Sequence, residues 1–421
     1  MSAPDTLTDL PPSAPVPTDT HPALDAPDYS PEPVPGETSL GASPTICADT
    51  ARRTFFARQD EITLTFLRQL EGVPIPRYGR AGCISGQIHL ASTYGVTAVS
   101  LQLEGRIVVD LEGRLPMFTY HFLKIPLALW EKGTNGEKYP PFAMPFRFDI
   151  PETFVDDGGK EYSLPPSYEP EMESVNLKDL YVQCSYTLSV KMARGRFMPS
   201  KLMVQKVNYD PRTVPPTHTL IYPFPYTTVT DETPPHGWRR YDEVIVARPQ
   251  NGFHDVHCQL YAPALRVYSM KSGPIPYFLR VHGHSESMSA LLCHAPPAPT
   301  SSPRSRWGIT HASQSTTYDI EVHIKRQVSI AVGGVSAARS YIVGKGTLRD
   351  LPPVYRSEED VNTVDYEGEV QIEPTVAVGG FDMGKLSIAD FFVFTIKAVD
   401  PRKAAFEELT HSHTIRIVTG L

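Results

Sequence analysis

At 421 residues the chain is too long for one typical domain and comfortable for two, and its 41% hydrophobic content weighs against a wholly disordered polymer. Its 42 prolines weigh against a fold built on long helices and favour strands joined by structured turns. The formal charge of −8 is concentrated at the start. Seven acids and no Lys or Arg fall in residues 1–45, and the remainder carries 39 basic against 40 acidic residues, with no basic cluster of the kind nucleic acid requires.

Residues 1–45 carry eleven prolines spaced by Ser, Thr, Asp and Ala. Such a segment buries too little apolar surface to offset its ordering entropy, so residues 1–54 are expected to form a disordered, Pro-rich acidic tail. It lacks the basic-then-apolar pattern of a signal peptide, no apolar run approaches the length of a membrane span, and no Asn sits in an N-x-[ST] sequence. Five scattered cysteines (Cys47, Cys83, Cys184, Cys258, Cys293) make neither a disulfide framework nor a zinc framework. A cytoplasmic location is expected.

Beyond the tail the recurring signal has period two. Val99, Leu101 and Leu103 alternate with Ser100, Gln102 and Glu104. Val182, Cys184, Tyr186, Leu188, Val190 and Met192 make one long apolar face, with Ser185, Thr187, Ser189 and Lys191 opposite. Tyr318, Ile320, Val322 and Ile324 repeat the pattern, as do Phe392, Phe394 and Ile396, and Ile415 and Ile417 end it. One apolar and one wet face is the mark of antiparallel sandwich strands. Helical signal is confined to a turn or two over Arg402–Leu409. The Pro-rich stretch Tyr209–His236 separates an N-terminal sandwich, residues 55–235, from a C-terminal one, residues 236–421. A second loop, Cys293–Arg306, is expected to be mobile.

Arg80-Ala81-Gly82-Cys83-Ile84-Ser85-Gly86-Gln87-Ile88, Val99 to Arg106, Leu164 to Tyr168 and Tyr186 to Val190 follow one another in an order that resembles the arrestin-like family, most closely its fungal-type α-arrestin-like members. The first is similar to the glycine turn and "V-S-G-x-V" strand of that family. Val99 to Arg106 resembles its strand ending in "L-x-G", Leu164 to Tyr168 its "L-P-P-S-aromatic" corner, and Tyr186 to Val190 its "Y-x-L-x-V" strand. Residues Ile320–Val332, Tyr341–Leu348, Glu367–Val370, Ile388–Ile396 and His411–Ile417 look like strands of its C-terminal sandwich. The resemblance covers about residues 55–421. It implies an all-β fold of two consecutive antiparallel, immunoglobulin-like sandwiches. It also implies a non-enzymatic trafficking adaptor that grips membrane transporter or receptor cargo, is recruited through that cargo to plasma or endosomal membranes, and recruits a WW-domain HECT-type ubiquitin ligase for endocytosis. The cationic phosphate-sensing core of receptor arrestins has no matching motif here.

Two stretches match P-P-x-Y, the WW-domain ligand: Pro165-Pro166-Ser167-Tyr168 and Pro352-Pro353-Val354-Tyr355. Paired prolines hold polyproline II at low entropic cost across an aromatic groove, and the tyrosine fills a neighbouring pocket. The first coincides with the sandwich corner, where a structural role for its prolines and aromatic is expected. The second lies among Asp350, Arg356, Glu358, Glu359 and Asp360 and is the better ligand candidate. In α-arrestins such motifs lie in a long C-terminal tail; here both lie within the body of the chain.

No catalytic residue, metal site, cofactor or small-molecule substrate is expected. His254, His257 and Cys258, with His282, His284, Cys293 and His294, lack the two compact pairs of a tetrahedral zinc site. Gly283-His284-Ser285-Glu286-Ser287 lacks the last glycine of a nucleophile elbow, and no strand-turn-helix context is legible around it. Glu169, Glu171 and Glu173 read as a solvated edge, and Gly333-Gly334 and Gly379-Gly380 as turns or bulges. Two other readings stand beside the adaptor. One is an intracellular coat or signalling scaffold without a ligase link; the other is a β-sandwich carbohydrate-active enzyme, which would carry a signal peptide.

Overall fold

The computed structural model describes residues 38–39, 53–134, 137–169, 179–196, 198–214, 224–225, 233–271, 273–292, 318–352 and 361–420. Most of the tail, the Cys293–Arg306 loop and much of the Pro-rich connection lie outside them. The fold is all-β.

The first half carries β1 (Thr38–Ser39), β2 (Arg53–Gln59), β3 (Ile62–Gln69), β4 (Arg77–Tyr78), β5 (Cys83–Leu90), β6 (Val96–Leu111), β7 (Leu115–Glu131), β8 (Ala143–Asp149), β9 (Thr153–Val155), β10 (Glu161–Ser163), β11 (Leu180–Arg194), β12 (Lys201–Tyr209) and β13 (Thr213–Val214). One sheet runs β4-β12-β11-β6-β7 and a second β2-β3-β5-β8, antiparallel except where β4 lies parallel to β12. The alternation in β6 and β11 points Val99, Leu101, Leu103 and the run Val182 to Met192 into the space between the sheets, where all are buried. Two glycines are set by close approach. A Cβ on Gly86 would lie 1.8 Å from the Thr65 carbonyl oxygen, and one on Gly105 would lie 2.5 Å from the Phe122 ring. Within the expected tail, β1 pairs antiparallel with β13, Thr38 opposite Val214 and Ser39 opposite Thr213.

The second half carries β14 (Trp238–Ile245), β15 (Val256–Pro263), β16 (Val267–Ser269), β17 (Ile275–His284), the helix α1 (Ser285–Leu292), β18 (Tyr318–Val332), β19 (Val335–Asp350), β20 (Val361–Ile372), β21 (Phe381–Asp382), β22 (Leu386–Ala398) and β23 (Leu409–Val418). These form one continuous sheet, β14-β15-β17-β20-β19-β18-β22-β23-β16, with β21 on β22. A bulge at Ile324/Lys325 helps bend the long β18–β19 pair. Curling brings β14 against β23, where the His413 ring stacks on Tyr241 at 4.5 Å and on Phe392 at 5.2 Å.

Three local expectations change. The helix lies at Ser285–Leu292, while 401–408 holds turns and a single bridge residue. Ser185, expected on the wet face of β11, is buried beside the Tyr168–Cys184 bridge. Both faces of β22 are buried, because Ala389, Phe391 and Val393 form a small cluster of their own opposite Phe392 and Phe394.

The His413 stack has a pH consequence. Burial first, then His411, Arg266 and Arg239, hold its imidazole down at about 3, from an ordinary 6.5. The unfolded chain therefore takes up a proton that the folded chain refuses. Stability present above pH 6.5 is lost as pH falls towards 3, by at most about 1.4 kcal/mol per pH unit. His413→Phe, which keeps an aromatic in the slot, is expected to flatten this part of the profile. Denaturation midpoints of both proteins from neutral to mildly acidic pH check it, and parallel profiles would assign the acid sensitivity to another group.

Candidate functional site

The apolar interior divides into two large cores, but not at one point in the sequence. The first core, built on β3, β5, β6, β8 and β11, also contains Val328, Ile330 and Val332 from β18 and Leu386 and Ile388 from β22. The second contains Val322 and Ile324 from β18 and Phe392, Phe394 and Ile396 from β22. Each of these two strands thus passes from one core into the other.

At the crossing point each strand carries a charge. Arg326 stands between Ile324 and Val328, and Asp390 between Ile388 and Phe392. They are direct partners across the β18–β22 ladder and form a bidentate pair, Nε to Oδ1 at 2.7 Å and Nη2 to Oδ2 at 3.0 Å. Both are buried. Burial alone would push the guanidinium down; the Asp390 carboxylate overrides it and holds the pKa above its ordinary value. Tyr341 lies opposite Arg326 in the β18–β19 register and packs against both cores. A second buried pair, Arg280 with Asp365, spans β17 and β20 at 2.8 and 3.0 Å. Sequence reading passed over Arg326 and Asp390. The signal was a charge at an inward position of a period-two apolar run, where an exposed residue is not an option.

The first P-P-x-Y stretch packs against this junction. Tyr168 exchanges both backbone hydrogen bonds with Cys184, at 2.9 and 2.7 Å, and Ser167 N–H donates to the Tyr209 carbonyl at 2.8 Å. The Tyr186 hydroxyl donates to the Pro165 carbonyl at 2.6 Å. The Tyr168 ring, 5% exposed, lies edge-on to Phe381 with centroids 6.4 Å apart. Burial, then the Tyr341 phenol, raises its pKa well above the ordinary value. A WW domain cannot reach this tyrosine without opening the corner. Lys385 adds a polar tie between the halves, lying over the Tyr120 ring at 4.4 Å and pairing with Asp157 at 3.3 Å. Beside these contacts runs a cleft lined by Arg80, Glu152, Tyr209, Val378, Phe381 and Arg416.

The second stretch begins at the end of β19. Phe224, from the Pro-rich connection, stacks on Phe278 at 4.1 Å and meets Trp238 and Tyr261 at 4.9 and 5.0 Å. Leu351 packs into the same cluster, and its N–H donates to the Asp365 carbonyl at 2.9 Å. Pro352 then emerges exposed. Pro353, Val354 and Tyr355 lie outside the described residues.

The remaining candidates are dispersed. His257 faces His282 across β15–β17 with ring centroids 5.3 Å apart, and His254 lies 5.0 Å from His284. Cys258 points to the buried face, and Cys293 and His294 lie outside the described residues. Among the described residues no three such side chains converge as metal ligands. The Gly283–Ser287 segment does join strand to helix, contrary to the sequence reading, because β17 runs directly into α1. Ser287 is buried there, and its Oγ accepts the His254 N–H at 2.9 Å. Glu169 pairs with Lys206; Glu171 and Glu173 lie outside the described residues. Gly333 and Gly334 make the β18–β19 turn.

A scan of protein-family models finds none that matches this chain, and a search of curated proteins finds no match.

Proposed function

We propose that this chain is a non-enzymatic, arrestin-like trafficking adaptor, holding a membrane transporter or receptor as cargo and recruiting a WW-domain HECT-type ubiquitin ligase through Pro352-Pro353-Val354-Tyr355. The observation that carries the ligase half of this reading is the contrast between the two P-P-x-Y stretches. Tyr168 is locked into a buried corner, whereas Leu351 anchors the chain and Pro352 leaves the sheet exposed. An anchored start limits the entropy a proline-rich ligand must give up on docking. The cargo half rests on the resemblance of the segments between about residues 55 and 421.

One short motif presents little surface, so an isolated WW domain is expected to bind with a dissociation constant on the order of micromolar. Tandem WW domains gain strongly only when two motifs are free at once, so a linked pair is expected to add little. Titration of one WW domain and of a linked pair, on wild type and on Tyr355→Ala, checks both. A large tandem gain would mean that the corner at 165–168 opens in solution. Absence of binding in all four titrations removes the ligase link and leaves the coat or signalling scaffold.

A further inference from the structure

The far end of the first half is closed by the β2–β3 turn and the connections β5–β6, β7–β8 and β11–β12. It lies well away from the junction. Ile107 of β6 pairs with Cys184, which is bridged to Tyr168, and from Ile107 to Val96 β6 runs roughly 35 Å at strand rise. Backbone hydrogen bonds lace these connections together: Ala91 N–H to Glu61 O at 2.8 Å, Leu90 N–H to Phe142 O at 2.9 Å, and Gly195 N–H to Gly95 O at 2.9 Å. Met198 lies directly over Gly95, and the Arg194–Glu61 ion pair ties β11 to the β2–β3 turn.

From this braced frame Tyr94, Tyr139 and Phe142 project into solvent, with Met198 partly exposed where it lies across Gly95. Tyr94 is 70% exposed, Phe142 64%, Tyr139 49% and Met198 37%. Single exposed apolar residues on a surface need no explanation, but four on adjoining loop tips of one end do. Their surroundings carry a small positive excess. Asp60 and Glu61 are paired with Lys201 and Arg194, leaving exposed Arg58, Lys132, Lys138 and Arg196 against Glu131 and Glu137.

We propose that this end docks on a phospholipid bilayer, with Tyr94, Tyr139, Phe142 and Met198 inserted at the level of the headgroups. Tyrosine carries an apolar body and a polar tip, which suits the membrane–water boundary. The four side chains stand on three separate connections, β5–β6, β7–β8 and β11–β12. A deformable medium surrounds all of them at once, whereas a rigid protein partner would need a matching set of pits. The positive excess is small, so apolar insertion, not attraction to anionic lipid, is the main driving force, and such binding largely survives high salt. This contact is separate from the adaptor reading, since it requires neither cargo nor ligase.

The test is co-sedimentation of the full chain with protein-free vesicles of phosphatidylcholine, and of phosphatidylcholine mixed with phosphatidylserine, at low and high salt. Comparable binding to both, surviving high salt, is expected. The double substitution Tyr94→Ser/Phe142→Ser is expected to lower the partition coefficient at least about tenfold with an unchanged thermal midpoint. Met117→Ser, equally exposed but on the β7 end away from these tips, is expected to leave partitioning unchanged. Failure of the wild type to pellet, equal pelleting of the double variant, or binding restricted to phosphatidylserine vesicles and abolished by salt would each overturn the proposal. So would a vesicle-free dimer that the double substitution dissociates, since the tips would then meet a second copy of the chain.

Discussion

Replacing Asp390 by Ala is expected to destabilise the protein by about 3–5 kcal/mol, because it leaves the Arg326 guanidinium buried without its carboxylate. The pair is bidentate and lies where β18 and β22 pass from one core to the other, so water has no ready path to solvate the abandoned charge. The loss measures the isolated charge, not the worth of the pair. Replacing both partners by apolar residues of similar volume, as in Arg326→Met/Asp390→Leu, is expected to be roughly neutral or stabilising by about 1–4 kcal/mol. Denaturant midpoints of the wild type, the single variant and the double variant check this. A single-variant loss below about 1 kcal/mol would mean that the junction opens far enough to hydrate Arg326. Comparing the slopes of the three transitions separates that opening from a change in the unfolded state.

Tyr168→Ala is expected to cost about 3–5 kcal/mol, as for other large aromatic truncations in a core. The ring packs edge-on to Phe381, and the backbone around it is held by the Cys184 and Tyr209 hydrogen bonds, which limits how far the site can collapse into the space left. Tyr168→Phe keeps the ring and is expected to retain most of the stability. Tyr355→Ala, at a position that follows exposed Pro352, is expected to stay within about 0.5 kcal/mol of wild type. Thermal and urea midpoints of the three variants give the comparison. Equal losses at the two tyrosines would mean that the second P-P-x-Y stretch is packed as firmly as the first, and the ligase-binding proposal would lose its site.

The sequence by itself determined the all-β character and the facing of most strands. Period-two runs such as Val182 to Met192 leave one face that must be buried, and a residue slip would expose every member of it. It also marked the two P-P-x-Y stretches, since that chemistry depends on four consecutive residues. Nearly all that tertiary structure decided involves pairs far apart in the chain. Arg326 and Asp390, 64 residues apart, become partners only through the β18–β22 register. His257 and His282, irregularly spaced in sequence, face one another only because β15 and β17 pair. The sharing of β18 and β22 between two cores follows from the length of those strands and the curl of one continuous sheet, which no local pattern encodes. The projecting loop tips at the far end of the first half were illegible for the same reason. Tyr94, Phe142 and Met198 sit on three different connections, and only the hydrogen bonds that brace those connections bring them to one end of the molecule.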